Sequence, residues 1–245
     1  MVYALATFFI ALIGGLLGLV LGNLRLPVTL LFAGSAASGA GTNIAVSAVA
    51  ATTASVGHAR AGRVDWHVAA WMVPPSVVAA FIGGFLAGQV SERLLLSAIA
   101  VVLLYSSIEV LRPPKAGPPG ERRVGTATRA LGVGAAIGLL GGIVGLILGA
   151  LRLPALIRII GQRPERAVGT NQVVGASLGF AGLAGHLVGS GVDPALVVAG
   201  AMGAAPGGLA GARLTGLLSE EWLRRGIALV LVLSGLAIVV RVIVA

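Results

Sequence analysis

Apolar residues run through this chain in blocks much longer than the rhythm of an amphipathic helix. Uncharged stretches cover Met1–Leu24, Leu26–Gly57, Trp66–Ser91 and Leu94–Ile108, then Ala130–Leu151, Ala167–Val192, Pro194–Ala212 and Gly226–Val240. A helix needs about 20 apolar residues to cross the hydrocarbon core, so the pattern predicts about eight long segments and an all-α, polytopic transmembrane helical bundle. Charged and breaking residues fall between the blocks, and the hydrophilic island is RPPKAGPPGERR, Arg112–Arg123. Prolines set beside charges mark a connection. The chain therefore divides into a first transmembrane repeat over 1–111, a cytoplasmic linker over 112–127 and a second transmembrane repeat over 128–245.

The two halves share a register. Leu24-Arg25-Leu26-Pro27 returns as Leu151-Arg152-Leu153-Pro154, and Gly14, Gly18 and Gly22 return as Gly141, Gly145 and Gly149, an offset of 127. After a one-residue insertion the offset is 128. It pairs Gly41-Thr42-Asn43 with Gly169-Thr170-Asn171, His58 with His186, Val64-Asp65 with Val192-Asp193, and Ser91-Glu92 with Ser219-Glu220. Apolar similarity alone would not keep polar residues in step over such a length.

The charges choose between two arrangements of the halves. With four simple crossings per half, seven basic residues fall on each side of the membrane, against the positive-inside rule. The alternative folds the first segment of each half into a helix and a short return helix (3–22 with 27–38, 130–150 with 154–162), followed by three further crossings. The halves are then inverted repeats. Arg60, Arg63, Arg112, Lys115, Arg122, Arg123, Arg129, Arg158, Arg163, Arg166, Arg213, Arg224 and Arg225 become cytoplasmic, 13 against the 2 of Arg93 and Arg241, with Arg25 and Arg152 uncounted. We expect the inverted arrangement, with both termini outside, an architecture that recurs among transporters.

Composition narrows the class. The chain is 57% hydrophobic and 10% charged, with 38 glycines among 245 residues. Soluble domains carry roughly 25% charged residues, so a soluble enzyme is excluded. Small residues suit tight helix contacts in lipid. The net charge of +9 would suggest nucleic acid in a soluble protein. Set between apolar blocks, it suggests loops facing an anionic leaflet, and no nucleic-acid partner is expected. Cysteine is absent, which removes thiolate metal sites and disulfides. The N-terminal MVYALATFFIALIGG has no basic leader and is expected to be a retained first helix.

The candidate chemistry lies in the duplicated motif GxxxGxxxG-x-LRLP. Gly22 and Gly149 precede the expected helix breaks, and Pro27 and Pro154 suit the first turn of a short helix. The N-terminus of such a helix presents free N–H groups and partial positive charge. Arg25 and Arg152 beside it either bind an anion or snorkel to an interface. Thr42, Asn43, Thr170 and Asn171 either cap the next helix or donate hydrogen bonds to a ligand, joined by Gln172 where the first half has Ile44. His58 and His186 either cap helix ends or carry a proton during transport. Asp65 and Asp193 read as N-caps. No catalytic, metal or cofactor motif appears, and no enzyme activity is expected.

This order of motifs resembles the TauE/SafE sulfite exporter family, also called the 4-toluene sulfonate uptake permease family. The matching residues are Gly18 through Pro27, Gly145 through Pro154, and Ala167-Val168-Gly169-Thr170-Asn171. Many members have three consecutive glycines where this chain has Val20-Leu21-Gly22 and Ile147-Leu148-Gly149. The resemblance implies a transporter, in the exporting direction, of small sulfur-containing anions such as sulfite, sulfonates or sulfoacetate, in a bacterial-type inner membrane. Its expected partners are that anion, membrane lipid and a second copy in a homodimer. A passive anion channel, or a transporter of a different carboxylate or oxyanion, is the alternative.

Overall fold

The computed structural model describes residues 1–33, 36–86, 125–144, 147–189 and 192–244, with scattered helical positions between 97 and 111. Every long element among them is an α-helix, and none is a strand. In the first half these are α1 (Val2–Leu17), α2 (Gly22–Leu30), α3 (Ala36–Arg60) and α4 (Trp66–Leu86). In the second they are α5 (Thr126–Val144), α6 (Gly149–Ala155, running on as a π-helical turn over Leu156–Ile160), α7 (Pro164–Gly189), α8 (Pro194–Leu214, with a 3-10 turn at Thr215–Leu217) and α9 (Glu220–Val244). The expected linker segment 112–124 and the Glu92–Arg93 turn lie outside the described residues.

Each half does open with a long helix followed by a short one, but the breaks come earlier than expected. Helix α1 stops at Gly18, which takes a left-handed conformation (φ 69°) and donates its N–H to the Gly14 carbonyl. Only glycine adopts that conformation without strain, and a Cβ there would meet Val168 Cα at 2.5 Å. The short helices then start at Gly22 and Gly149, so Pro27 and Pro154 lie inside them rather than in their first turn. Pro154 cannot donate to the Ala150 carbonyl, and the helix widens to π spacing two residues later. A second correction concerns Gly-Thr-Asn. Helices α3 and α7 start at Ala36 and Pro164, so both tripeptides occupy second turns and cap nothing in their own helix. Asp65 and Asp193 are N-caps as expected, accepting from the N–H groups of Val68 and Leu196 at 3.1 Å each.

The halves interlace. Helix α1 packs along α8, and its counterpart α5 packs along α4, so the first helix of each half lies against the fourth helix of the other. Gly203, Gly207 and Gly211 of α8 face the carbonyls of Ala4, Phe8 and Leu12 of α1, four-residue spacing against four-residue spacing. No side chain fits between them, which is how small residues bring membrane helices into backbone contact. Between these pairs, α3 packs on both α7 and α8.

Polar side chains share the interior with an apolar core of Leu19, Met72, Leu153, Leu156, Ile227 and Leu231. Arg25, Arg152, Asn43, Asn171, Gln172 and His58 are buried, while Leu5, Phe9 and Ile13 of α1 and Leu229, Leu233, Leu236 and Val240 of α9 are exposed. Apolar rows on the outside fit lipid. Among the described residues, Pro194–Leu217 is the one helix both long and apolar enough to cross a bilayer by itself; Val2–Leu17, Trp66–Ile82 and Thr126–Leu140 are apolar but shorter. Helices α3 and α7 have 25 and 26 residues, ample for a crossing, but carry the polar residues of the interior.

Candidate anion site

Each short helix turns its arginine inward onto the helix that comes next in the chain. Arg25 donates from Nε to Asn43 Oδ1 at 3.0 Å and from Nη2 to the Asn43 carbonyl at 3.2 Å. Arg152 repeats this on Asn171, at 2.6 Å and 3.2 Å. Both arginines are buried, at 1% and 0% exposure. Asn43 Nδ2 in turn donates to the Gly22 carbonyl at 2.9 Å, and Asn171 Nδ2 to that of Gly149 at 3.0 Å. The glycine at the start of the short helix, its arginine and the asparagine thus form one closed unit in each half. Snorkelling is corrected by this geometry: neither guanidinium reaches a surface.

The units differ in two ways. Arg25 Nη2 also donates to Ser47 Oγ, one turn after Asn43 on α3. The equivalent position is Gly175, and Arg152 Nη1 has no hydrogen-bond partner among the described residues. Ser47 was not among the residues expected from sequence, although its i+4 spacing from Asn43 was a signal for it. Secondly, Asn171 Nδ2 reaches across to the Gly18 carbonyl at 2.6 Å, and Gln172 Nε2 to the Gly14 carbonyl at 2.9 Å. Helix α7 therefore bonds two carbonyls at the break after α1, that of Gly18 and that of Gly14, which also accepts from the Gly18 and Leu19 N–H groups.

Thr42 and Thr170 are buried but belong to a different arrangement. The Asp193 N–H donates to Thr42 Oγ1 at 2.9 Å, and the Asp65 N–H to Thr170 Oγ1 at 3.0 Å. Each threonine thus holds the start of a helix in the other half, and the two contacts are reciprocal under the 128-residue offset. His58 is wholly buried near the end of α3, with Nε2 2.9 Å from the Gly15 carbonyl. A carbonyl only accepts, so Nε2 carries the proton. The side chain of His186, in the last turn of α7, lies outside the described residues, as does that of Pro27.

Among the described residues, neither buried guanidinium has a carboxylate in ion-pair contact; the ion pair described is Arg225–Glu221 at the surface. A buried charge without a counter-charge is costly, and an anion between the helices would relieve that cost. Arg25 and Gln172 line one cavity with Gly14, Leu19, Val20 and Ala51. Val20 also packs at Gly175, where a Cβ would lie 2.8 Å from Val20 Cγ2 and 3.3 Å from Arg152 Nη2. The two arginine units therefore meet around the break after α1.

No curated protein and no solved structure matches the chain. The family model described as sulfite exporter TauE/SafE matches residues 3–238, through both arginine units and both Gly-Thr-Asn elements. A match over nearly the whole length, on a fold with buried cations and an apolar exterior, means that the chain belongs to the sulfite exporter TauE/SafE family of membrane transporters.

Proposed function

We propose that this protein is a secondary transporter, working as an exporter in a bacterial-type inner membrane, of a small sulfur-containing anion such as sulfite, a sulfonate or sulfoacetate. The observation that carries the reading is the pair of buried guanidinium groups with no described carboxylate partner, each set by its asparagine at the same point of its half. Arg25 and Arg152 attract the anion. Asn43 and Asn171 hold them in place, and Gln172 shares the cavity wall with Arg25.

Alternating access between the two halves follows from reading them as inverted repeats. The inverted arrangement has its own support. Arg63 Nη1 donates to the Ala212 carbonyl at 2.6 Å, and Arg129 Nη1 to the Ile159 carbonyl at 3.5 Å. Both contacts join segments that four simple crossings per half would put on opposite faces of the membrane. The crosswise threonine contacts, one near the start of α3 and one near the start of α7, are suited to opening in turn.

The test is anion binding to purified protein in detergent. Sulfite or a small sulfonate should stabilise the wild type against heat. Arg25→Gln and Arg152→Gln should each weaken binding by at least about tenfold, since a charge-assisted hydrogen bond contributes roughly 1.5–3 kcal/mol. Arg→Lys should recover only part, because an ammonium cannot bond Asn Oδ1 and the asparagine carbonyl with the same planar fork. Wild-type affinity in both Gln variants would reject the site.

A further inference from the structure

Gln172 presents the cavity with the opposite chemistry from Arg25. Its amide orientation is set by its surroundings: one end faces the carbonyls of Gly14 at 2.9 Å and Leu19 at 3.5 Å. Carbonyls only accept, so that end is Nε2. Oε1 is buried and has no hydrogen-bond partner among the described residues. The side chain as a whole is 2% exposed. Arg25, on the same wall, gives Nε to Asn43 and Nη2 to Asn43 and Ser47. Among the described residues, none that lines the cavity is acidic. A ligand that satisfies this wall must be an anion towards Arg25 and a hydrogen-bond donor towards Gln172.

We propose that Gln172 Oε1 accepts a hydrogen bond from the transported anion, so that the site selects a monoanion that carries its own donor, such as hydrogensulfite or a hydroxy- or amino-substituted sulfonate, over a bare sulfonate. The inference rests on the anion-site reading above and deepens it. The acceptor occurs once: the equivalent position in the first half is Ile44. The site is therefore polarised, with the negative oxygens towards Arg25 and the donor towards α7. A buried acceptor left unpaired penalises any ligand that cannot fill it.

The experiment compares probes that differ in the donor alone. Methanesulfonate, chloromethanesulfonate and hydroxymethanesulfonate are all monoanions, and the chloro compound controls for size. Calorimetric titration of the wild type at one pH should show hydroxymethanesulfonate binding at least about fivefold tighter than the other two. Gln172→Leu should erase that preference. If the variant does not fold, the wild-type comparison decides alone. Equal wild-type affinities for the three probes would overturn the inference and leave the anion site standing, as would a preference that survives in Gln172→Leu. No binding of any probe to the wild type would overturn both.

Discussion

A buried arginine is held in this protein by an asparagine rather than by an acid. The amide of Asn171 accepts from Arg152 and donates to two carbonyls, Gly149 in its own half and Gly18 in the other. Asn43 accepts from Arg25 and donates to Gly22. An aspartate in the same place would neutralise the guanidinium and compete with an incoming anion. A neutral amide fixes the geometry and leaves the charge available. The extra carbonyl makes the two positions unequal in stability. Asn171→Ala should destabilise the protein by about 1–3 kcal/mol more than Asn43→Ala, the range for one further buried polar group left unpaired. Thermal unfolding of the two variants in the same detergent checks this; equal losses would mean that the Gly18 contact contributes nothing.

At the scale of elements, glycine decides which helices can touch. The row Gly203, Gly207 and Gly211 puts α8 against the backbone carbonyls of α1. Gly134 and Gly138 of α5 do the same against Met72 and Ser76 of α4. Gly207→Leu should therefore cost about 3 kcal/mol, the upper part of the usual range for overpacking a close contact. Met202→Leu, on the exposed side of the same helix at 71% exposure, should change stability by less than about 0.5 kcal/mol. The measurement is the fraction of folded, monodisperse protein recovered after heating. The short helices are set by the same logic. The first follows the left-handed turn at Gly18, and Pro154 loosens the turn after it into π spacing in the second.

For the whole molecule, the contacts of Arg63 with Ala212 and Arg129 with Ile159 bring basic segments of the two halves together. Trp66 and Trp222 are exposed, and Trp222 stacks beneath Arg225 at 5.5 Å, the pairing expected at a lipid headgroup boundary. Inverted halves therefore predict that Ala61→Cys and Ser219→Cys are labelled from the cytoplasmic side, and Ala195→Cys from the opposite side. The chain has no cysteine of its own, so each label reports one position. Labelling of Ala61→Cys and Ser219→Cys from different sides would reject the inverted arrangement.

The sequence by itself determined what depends on solvent and on register. The long apolar blocks predicted helices, and the described elements are helical with no strand among them. The 127- and 128-residue offsets pair Arg25 with Arg152 and Asn43 with Asn171, and aspartate before a helix reads as a cap because the interaction is local. The placement of the helix breaks was legible only to within a few residues, since several glycines in each motif permit a turn and packing against Val168 selects Gly18. Tertiary structure alone decided the roles of Thr42, Thr170 and Gln172, whose partners lie more than 100 residues away in sequence. Such contacts leave no periodicity in the chain. They arise because a break or a helix start frees carbonyls and N–H groups that must find partners: Gly22 and Gly149 find an asparagine of their own half, while Gly18, Asp65 and Asp193 find polar side chains of the opposite half.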